Sequence, residues 1–330
     1  MGGTPRVGQK GLQRAIHAIV LDALSRSVGG TLATNGELQE RVGVGAGTVQ
    51  RALDLLADRG ALRTTARGHL GRRIDAISLG DCWQAAGLAP VRFTMSTGGP
   101  IELDALEAAL SDELTRMGIP HGFAHVRGGN GRLADVSAGR SDVAVVSAGT
   151  YSCVLESLGL DGLGPARLFP PGTYYAPERL VVLRGPAAAD PALARTVAID
   201  HRSFDHEALT VAEFPVEAGF THVDMHFTEV PAKVLAGIVA TGIWHVTESP
   251  FPLFLTGLEA VPLVRPQALE VMDALSGAAM VSWAGRSELA AVLDALELNS
   301  LVSDQQQSLE DERAWLESLA AEAAAVTLAG

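Results

Sequence analysis

From residue 91 onward, short apolar runs alternate with longer amphipathic ones, and glycine-rich turns join them. Stretches 91–95, 121–127 and 142–147 read as strands, while 101–117 and the segment after Gly131, through Ala138, read as helices. A second block repeats the pattern. It places strands at 178–183, 196–200, 221–227 and 243–247, helices at 205–213 and 231–240, and a returning strand at 278–283. Strands spaced by helices imply an α/β fold with a parallel sheet wound right-handedly. In such sheets ligands collect at the carboxyl ends of strands and at the helix N-termini that follow. That rule marks Ser96, Thr97 and Gly98, then Gly129 and Asn130, then Ser147, Ala148 and Gly149, and Thr247 and Glu248 after a later strand. Arg127, Arg132 and Arg202 lie beside these turns with His201, and a guanidinium fork there suits a planar anion.

The chain has 330 residues, which suggests two or three units. Hydrophobic residues make up 47% and charged residues 19%, enough for a sizeable core. Cys82 and Cys153 form no CxxC pair and read as reduced thiols. No apolar run is long enough to span a bilayer, and residues 1–10 lead into no apolar segment of a secretory signal. The expectation is a cytoplasmic protein with no membrane partner.

Charge is divided unevenly. Residues 1–75 hold eleven basic and six acidic groups, a net +5, whereas the remainder carries −18 of the overall −13. A basic head on an acidic body suits a polyanion at one end only.

The head has its own punctuation. A helix is expected over about 12–26. Thr34 with Glu37 three residues later forms a capping box for a second helix. Gly43 and Gly45 bracket a turn, Gly47-Thr48 opens a third helix, and Gly60 ends it. Residues 61–74 then read as a basic hairpin with Arg67-Gly68 at its tip. The glycines at 43, 45 and 47 follow no strand and lead into no Lys-Ser or Lys-Thr, so they are no phosphate loop.

The stretch 32–53, followed by 55–62, resembles the winged helix-turn-helix of the GntR type. It departs from that pattern at Gly36 and Ala46, where basic residues are usual. The resemblance implies double-stranded DNA as partner. It makes Thr34, Thr48, Gln50 and Arg51 the contacts on the helices, and Arg63, Arg67, His69 and Arg72 those of the wing. Homodimers that match palindromic operators are expected of such heads.

Residues 133–146 resemble the recurrent helix–glycine–acid–strand element of type 2 periplasmic-binding-protein folds, with a weaker copy at 234–246. The organisation implied is a winged helix-turn-helix at 1–75, a connector at 76–90 and a two-lobed effector domain at 91–330. Lobe I would span about 91–185 and 284–330, and lobe II about 186–283. Arg127 to Arg132, Asp142 to Ser147 and Tyr174 to Arg179 are similar to the YhfZ family, which implies DNA binding and an effector-type domain.

No nucleophile–base order or strong carboxylate pair stands out, so no catalytic residue and no cofactor are expected. His222, Asp224 and His226 alternate on one strand face and read as solvated rather than as a metal site. His201, Arg202 and His206 near a helix start could take a ligand carboxylate or phosphate. The function expected is a regulator that senses a small anionic metabolite; the rival is an enzyme or ligand carrier on the same fold. The tail 303–325 reads as an amphipathic helix packed on lobe I or on a second subunit.

Overall fold

A computed structural model describes residues 7–68, 71–96, 100–158, 161–246 and 256–329. The chain divides into two compact units: residues 1–92, 111–122 and 284–296, and residues 93–110, 123–283 and 297–330.

The first unit opens with α1 (Val7–Leu24), β1 (Thr31–Leu32), α2 (Asn35–Val42) and α3 (Ala46–Asp58). The hairpin β2 (Leu62–Ala66) and β3 (Arg72–Ile77) follows, then α4 (Leu79–Ala86). Thr34 caps α2 with the expected reciprocal box, and Gly43 ends it at φ 67°, a left-handed conformation that favours glycine. The small sheet runs β1-β3-β2, with Thr64 facing Ile74 and Ala66 facing Arg72 across the hairpin. Ile16, Ile19, Val20, Leu38, Val49, Leu53, Leu56 and Ile74 make the core.

Residues 76–90, read as a partly helical connector, are helical in part but belong to the head rather than linking it. They carry α4, whose Cys82, Ala85 and Ala86 belong to the same core. Cys82 donates its S–H to Ala61 O at 3.1 Å, and burial pushes its thiol up to about 12, which leaves it a packing residue.

The chain then runs through β4 (Val91–Met95), α5 (Ile101–Arg116), β5 (His121–His125), α6 (Gly129–Ser137), β6 (Val143–Ser147), α7 (Ala148–Leu158) and β7 (Leu163–Leu168), with residues 91–92 and 111–122 in the first unit and the rest in the second. It continues with β8 (Leu180–Arg184), β9 (Thr196–Ile199), α8 (Phe204–Glu213), β10 (Thr221–Asp224), α9 (Val230–Leu235), β11 (Thr241–His245) and β12 (Glu259–Pro262). Last come α10 (Pro266–Ser276), β13 (Ala278–Trp283), α11 (Glu288–Ala295) of the first unit, and α12 (Leu298–Ala329).

Two five-stranded sheets result, β5-β4-β6-β13-β7 and β10-β9-β11-β8-β12. The expected parallel pairing holds within each sheet, but each sheet as a whole is mixed. β4 runs parallel to β6, and β9 runs parallel to β10 and β11. β13 is antiparallel to β6 and β7, and β8 is antiparallel to β11 and β12. The reason is the double crossing: the chain leaves the first sheet after β7 and returns after α10. β8 therefore lies in the second lobe rather than in a first lobe that runs to 185, and β13 lies in the first rather than in a second lobe that runs to 283. This pair of mixed sheets is the periplasmic-binding-protein architecture. α12 docks through Leu301 and Gln305, whose amide donates to the carbonyls of Glu102 (2.6 Å) and Thr173 (2.7 Å).

Candidate functional site

In the first unit, α3 buries Val49, Ala52, Leu53 and Leu56 and leaves Gln50, Arg51 and Asp54 exposed. Gln50 is not idle: its amide donates to Asp54 Oδ1 at 2.7 Å, one helical turn on. Thr48 is half-buried, and Arg63 and Arg67 are exposed on β2 and at the hairpin tip. Arg72 braces the hairpin through Nε to Thr64 Oγ1 at 2.9 Å. Thr34 is spent on its cap. Its N–H donates to Glu37 Oε2 at 2.7 Å, and that bond, with one from the Thr34 hydroxyl, holds the Glu37 carboxyl below the usual range. His69 lies outside the described residues.

Some arginines of the head are held by carboxylates. Asp22, buried on α1, accepts from Arg26 Nε at 3.1 Å, from Arg41 Nη1 at 3.2 Å and from the Ala33 N–H at 2.7 Å. Arg73 pairs with Asp75 at 2.9 Å. These three cations are structural. The side chains of Arg51, Arg63 and Arg67 make no hydrogen bond or ion pair among the described residues.

In the second unit a cavity of about 60 Å³ lies against Ser96, Gly128, Gly129, Arg132 and Thr150 on one side. Tyr174 and Tyr175 come from the crossing segment, and Ser203 to His206, Phe227 and Ile243 to His245 from the second lobe. A cavity of this size holds a few waters. Five aromatic side chains stand in its wall (Tyr174, Tyr175, Phe204, Phe227 and Trp244), in a chain with 5% aromatic residues.

Most charged groups here are buried and partnered, although Glu102 Oε2 and Arg127 Nε have no hydrogen-bond partner among the described residues. Arg132 donates Nε to Val145 O (3.0 Å), Nη1 to Val126 O (2.8 Å) and Nη2 to Tyr174 OH (2.7 Å). Asp205 accepts from the hydroxyls of Ser147 (2.7 Å), Thr150 (2.7 Å) and Tyr175 (3.1 Å). Burial pushes its carboxyl up, and those hydroxyls and Arg132 pull against it. Asp200 accepts Arg127 Nη2 at 2.5 Å and the N–H groups of Phe227 and Arg202, both at 3.0 Å. Burial raises its carboxyl, but the donors outweigh it and the net shift is downward. Glu102 Oε1 takes the Ala176 N–H at 2.7 Å and faces His245 Nε2 at 3.1 Å.

Of the residues expected at a ligand site, Ser96, Gly129 and Arg132 stand in the cavity wall. Arg127 is turned to Asp200, and Ser147 to Asp205. Ala148 and Gly149 begin α7 outside the wall, and a Cβ on Gly149 would meet Leu275 at 2.6 Å. Asn130 and Arg202 are not among the wall residues, and Asn130 is exposed. Exposed His201 pairs with Glu207 at 2.7 Å, a bond that raises its imidazole above the ordinary value. Thr97, Gly98, Thr247 and Glu248 lie outside the described residues. His222 and His226 do not converge: one donates to Phe214 O at 2.7 Å, and the other accepts the Thr228 N–H at 3.2 Å.

Sequence reasoning missed Thr150, the tyrosine pair as cavity wall, Asp205 and His245. Asp205 carries a local signal, a carboxylate in the first turn after a strand and a Ser203 cap. His206 was noted as a possible anion ligand, but the structure gives it another role. It is buried, its Nδ1 accepts the Asp200 N–H at 3.1 Å, and its Nε2 faces Ile243 O at 3.2 Å. Burial pulls it down to about 4. An imidazole depressed in the folded state adds stability above its unfolded value of about 6.5, and this is lost as pH falls towards 4. The loss should approach about 3 kcal/mol. Urea midpoints between pH 7 and pH 4 should fall more steeply for the natural protein than for His206→Asn; parallel slopes would count against it.

Residues 80–315 match the family model of the YhfZ C-terminal domain, and residues 27–74 match a helix-turn-helix domain. The chain is 27% identical over 293 residues to the YhfZ protein of Escherichia coli K12, covering 88% of this chain and 92% of the relative. The crystal structure of YhfZ from Shigella flexneri superposes with a TM-score of 0.53 at 22% identity, over 71% of this chain and 96% of that one. The periplasmic aliphatic sulphonate binding protein SsuA from Escherichia coli gives a TM-score of 0.49 at 14% identity, over 68% and 71%. Among the described residues no helix is long and apolar enough to cross a membrane. The family match covers well over half of the chain, head and lobes are in the expected order, and the chain belongs to the YhfZ family.

Proposed function

We propose that this protein is a cytoplasmic, DNA-binding transcriptional regulator whose C-terminal unit senses a small anionic metabolite. The observation that carries the DNA reading is the placement of the head's arginines. Those that hold the head together are paired with Asp22 and Asp75, whereas Arg51 on α3 and Arg63 and Arg67 on the hairpin are left to solvent. A helix in the major groove flanked by a basic wing uses side chains so placed, with phosphate contacts for grip and base edges for sequence. One head covers one half-site, so the acting form is a homodimer on a two-fold operator.

Arg51→Ala combined with Arg67→Ala should weaken binding to promoter DNA of its own operon by about 10- to 100-fold. The slope of log affinity against log salt should become shallower by about two. Gel shifts at several salt concentrations read both, and light scattering of the complex reads two chains per operator. A natural protein that forms no salt-sensitive complex would overturn this reading. The effector reading is supported by the cavity, whose wall combines five aromatic side chains with the buried Arg132 and Asp205.

A further inference from the structure

Asp205 is held in an unusual way. It stands in the first turn of α8, in the second lobe, yet every hydroxyl on its carboxylate comes from elsewhere. Ser147 and Thr150, from the end of β6 and the start of α7 in the first lobe, both reach Oδ1 at 2.7 Å. Tyr175, from the crossing segment, reaches Oδ2 at 3.1 Å. The donors are themselves fixed. Ser147 Oγ accepts the Thr150 N–H at 3.0 Å, and Gly129 is packed so closely on Thr150 that a Cβ would lie 2.6 Å from its methyl group.

Three neutral hydroxyls accept one carboxylate as readily as another. A carboxylate buried without a direct ion pair gives up hydration that hydroxyls only partly replace. Any ligand that brings its own carboxylate to these donors lets Asp205 return to water. The cavity beside them is too small for a metabolite of more than a few heavy atoms, and withdrawing Asp205 would add its volume to that space.

We propose that Ser147, Thr150 and Tyr175 form a carboxylate subsite, that Asp205 fills it in the closed arrangement, and that a carboxylate-bearing effector binds by displacing Asp205. This deepens the effector reading above and rests on it. Displacement parts α8 from α7, so the effector opens the lobes at this point. It competes with an internal carboxylate, and its apparent affinity is reduced by the fraction of molecules in which Asp205 is seated.

Formate, the size of the group deleted in Asp205→Ala, is the probe. Thermal midpoints are measured for full-length Asp205→Ala and the natural protein in sodium formate and in sodium chloride at equal ionic strength and neutral pH. Asp205→Ala should rise by about 3–6 °C at ten times its dissociation constant. The natural protein should need at least about tenfold more formate for the same rise. Adding Ser147→Ala and Thr150→Val should abolish the response. No formate-specific rise in a folded Asp205→Ala overturns the subsite, and equal affinity in both proteins overturns displacement. If Asp205→Ala is recovered only as insoluble chain, refolding decides: soluble recovery with formate but not chloride supports the subsite, and failure with both overturns it. Gel shifts separate the two readings, because formate uptake by a protein that binds no promoter DNA keeps the subsite and removes the regulator.

Discussion

Arg132→Met is expected to destabilise the C-terminal unit by about 3–5 kcal/mol, which lowers its melting midpoint by about 6–20 °C. The guanidinium spans three acceptors: the carbonyls of Val126 and Val145 and the hydroxyl of Tyr174. The residue is 2% exposed, so solvent cannot take over these bonds when the guanidinium is removed. Arg132→Lys should recover little, because one ammonium cannot reach acceptors arranged for a planar fork. The measurement also fixes the role of this residue. A fork kept for an incoming anion would leave the unliganded midpoint almost unchanged on mutation and would affect only the ligand response. A large drop without ligand makes Arg132 the brace that ties the ends of β5 and β6 to the tyrosine pair. Calorimetry of the full chain, where the two units can melt separately, is the direct reading.

The features legible in the sequence were those decided by neighbours along the chain. Thr34 and Glu37 are three residues apart, and Gly43 meets a purely local conformational demand, so both were readable before any contact was known. The alternation of β4, α5, β5, α6 and β6 was likewise visible in hydrophobic period. Long-range partners decided the rest. β13 is an apolar run like any other, and only its insertion between β6 and β7 assigns it to the first lobe. Cys82 in the connector gave no hint that α4 completes the helix-turn-helix core. Arg127 was readable as a cation beside a turn, but its partner Asp200 is 73 residues away and takes up its charge. The same limit hid Asp205. Its chemistry depends on three hydroxyls drawn from two other segments, and no spacing rule relates them.

The structural demand on Asp22 and its electrostatic effect pull in opposite directions, which makes it the most telling position in the head. Asp22→Ala removes a negative charge from the unit that is proposed to meet DNA, and charge alone would tighten binding. The packing argues otherwise. Asp22 is 5% exposed and accepts the Ala33 N–H just before the Thr34 cap of α2, while Arg41 in the last turn of α2 reaches the same carboxylate. One side chain on α1 thus holds both ends of α2, the helix that sets the angle of α3. Its removal orphans a buried N–H whose bond to a charged acceptor is worth about 1.5–3 kcal/mol. Arg26 and Arg41 are 43% and 53% exposed, so solvent screens most of what those pairs contribute. A loss of about 2–3 kcal/mol in the first unit is expected, with DNA affinity at least about tenfold weaker at every salt concentration. The salt slope should stay close to that of the natural protein, because Arg51, Arg63 and Arg67 remain in place. Tighter binding by Asp22→Ala in gel shifts would mean that charge outweighs the geometry of α2, and that this carboxylate serves the head only as a negative group to be neutralised.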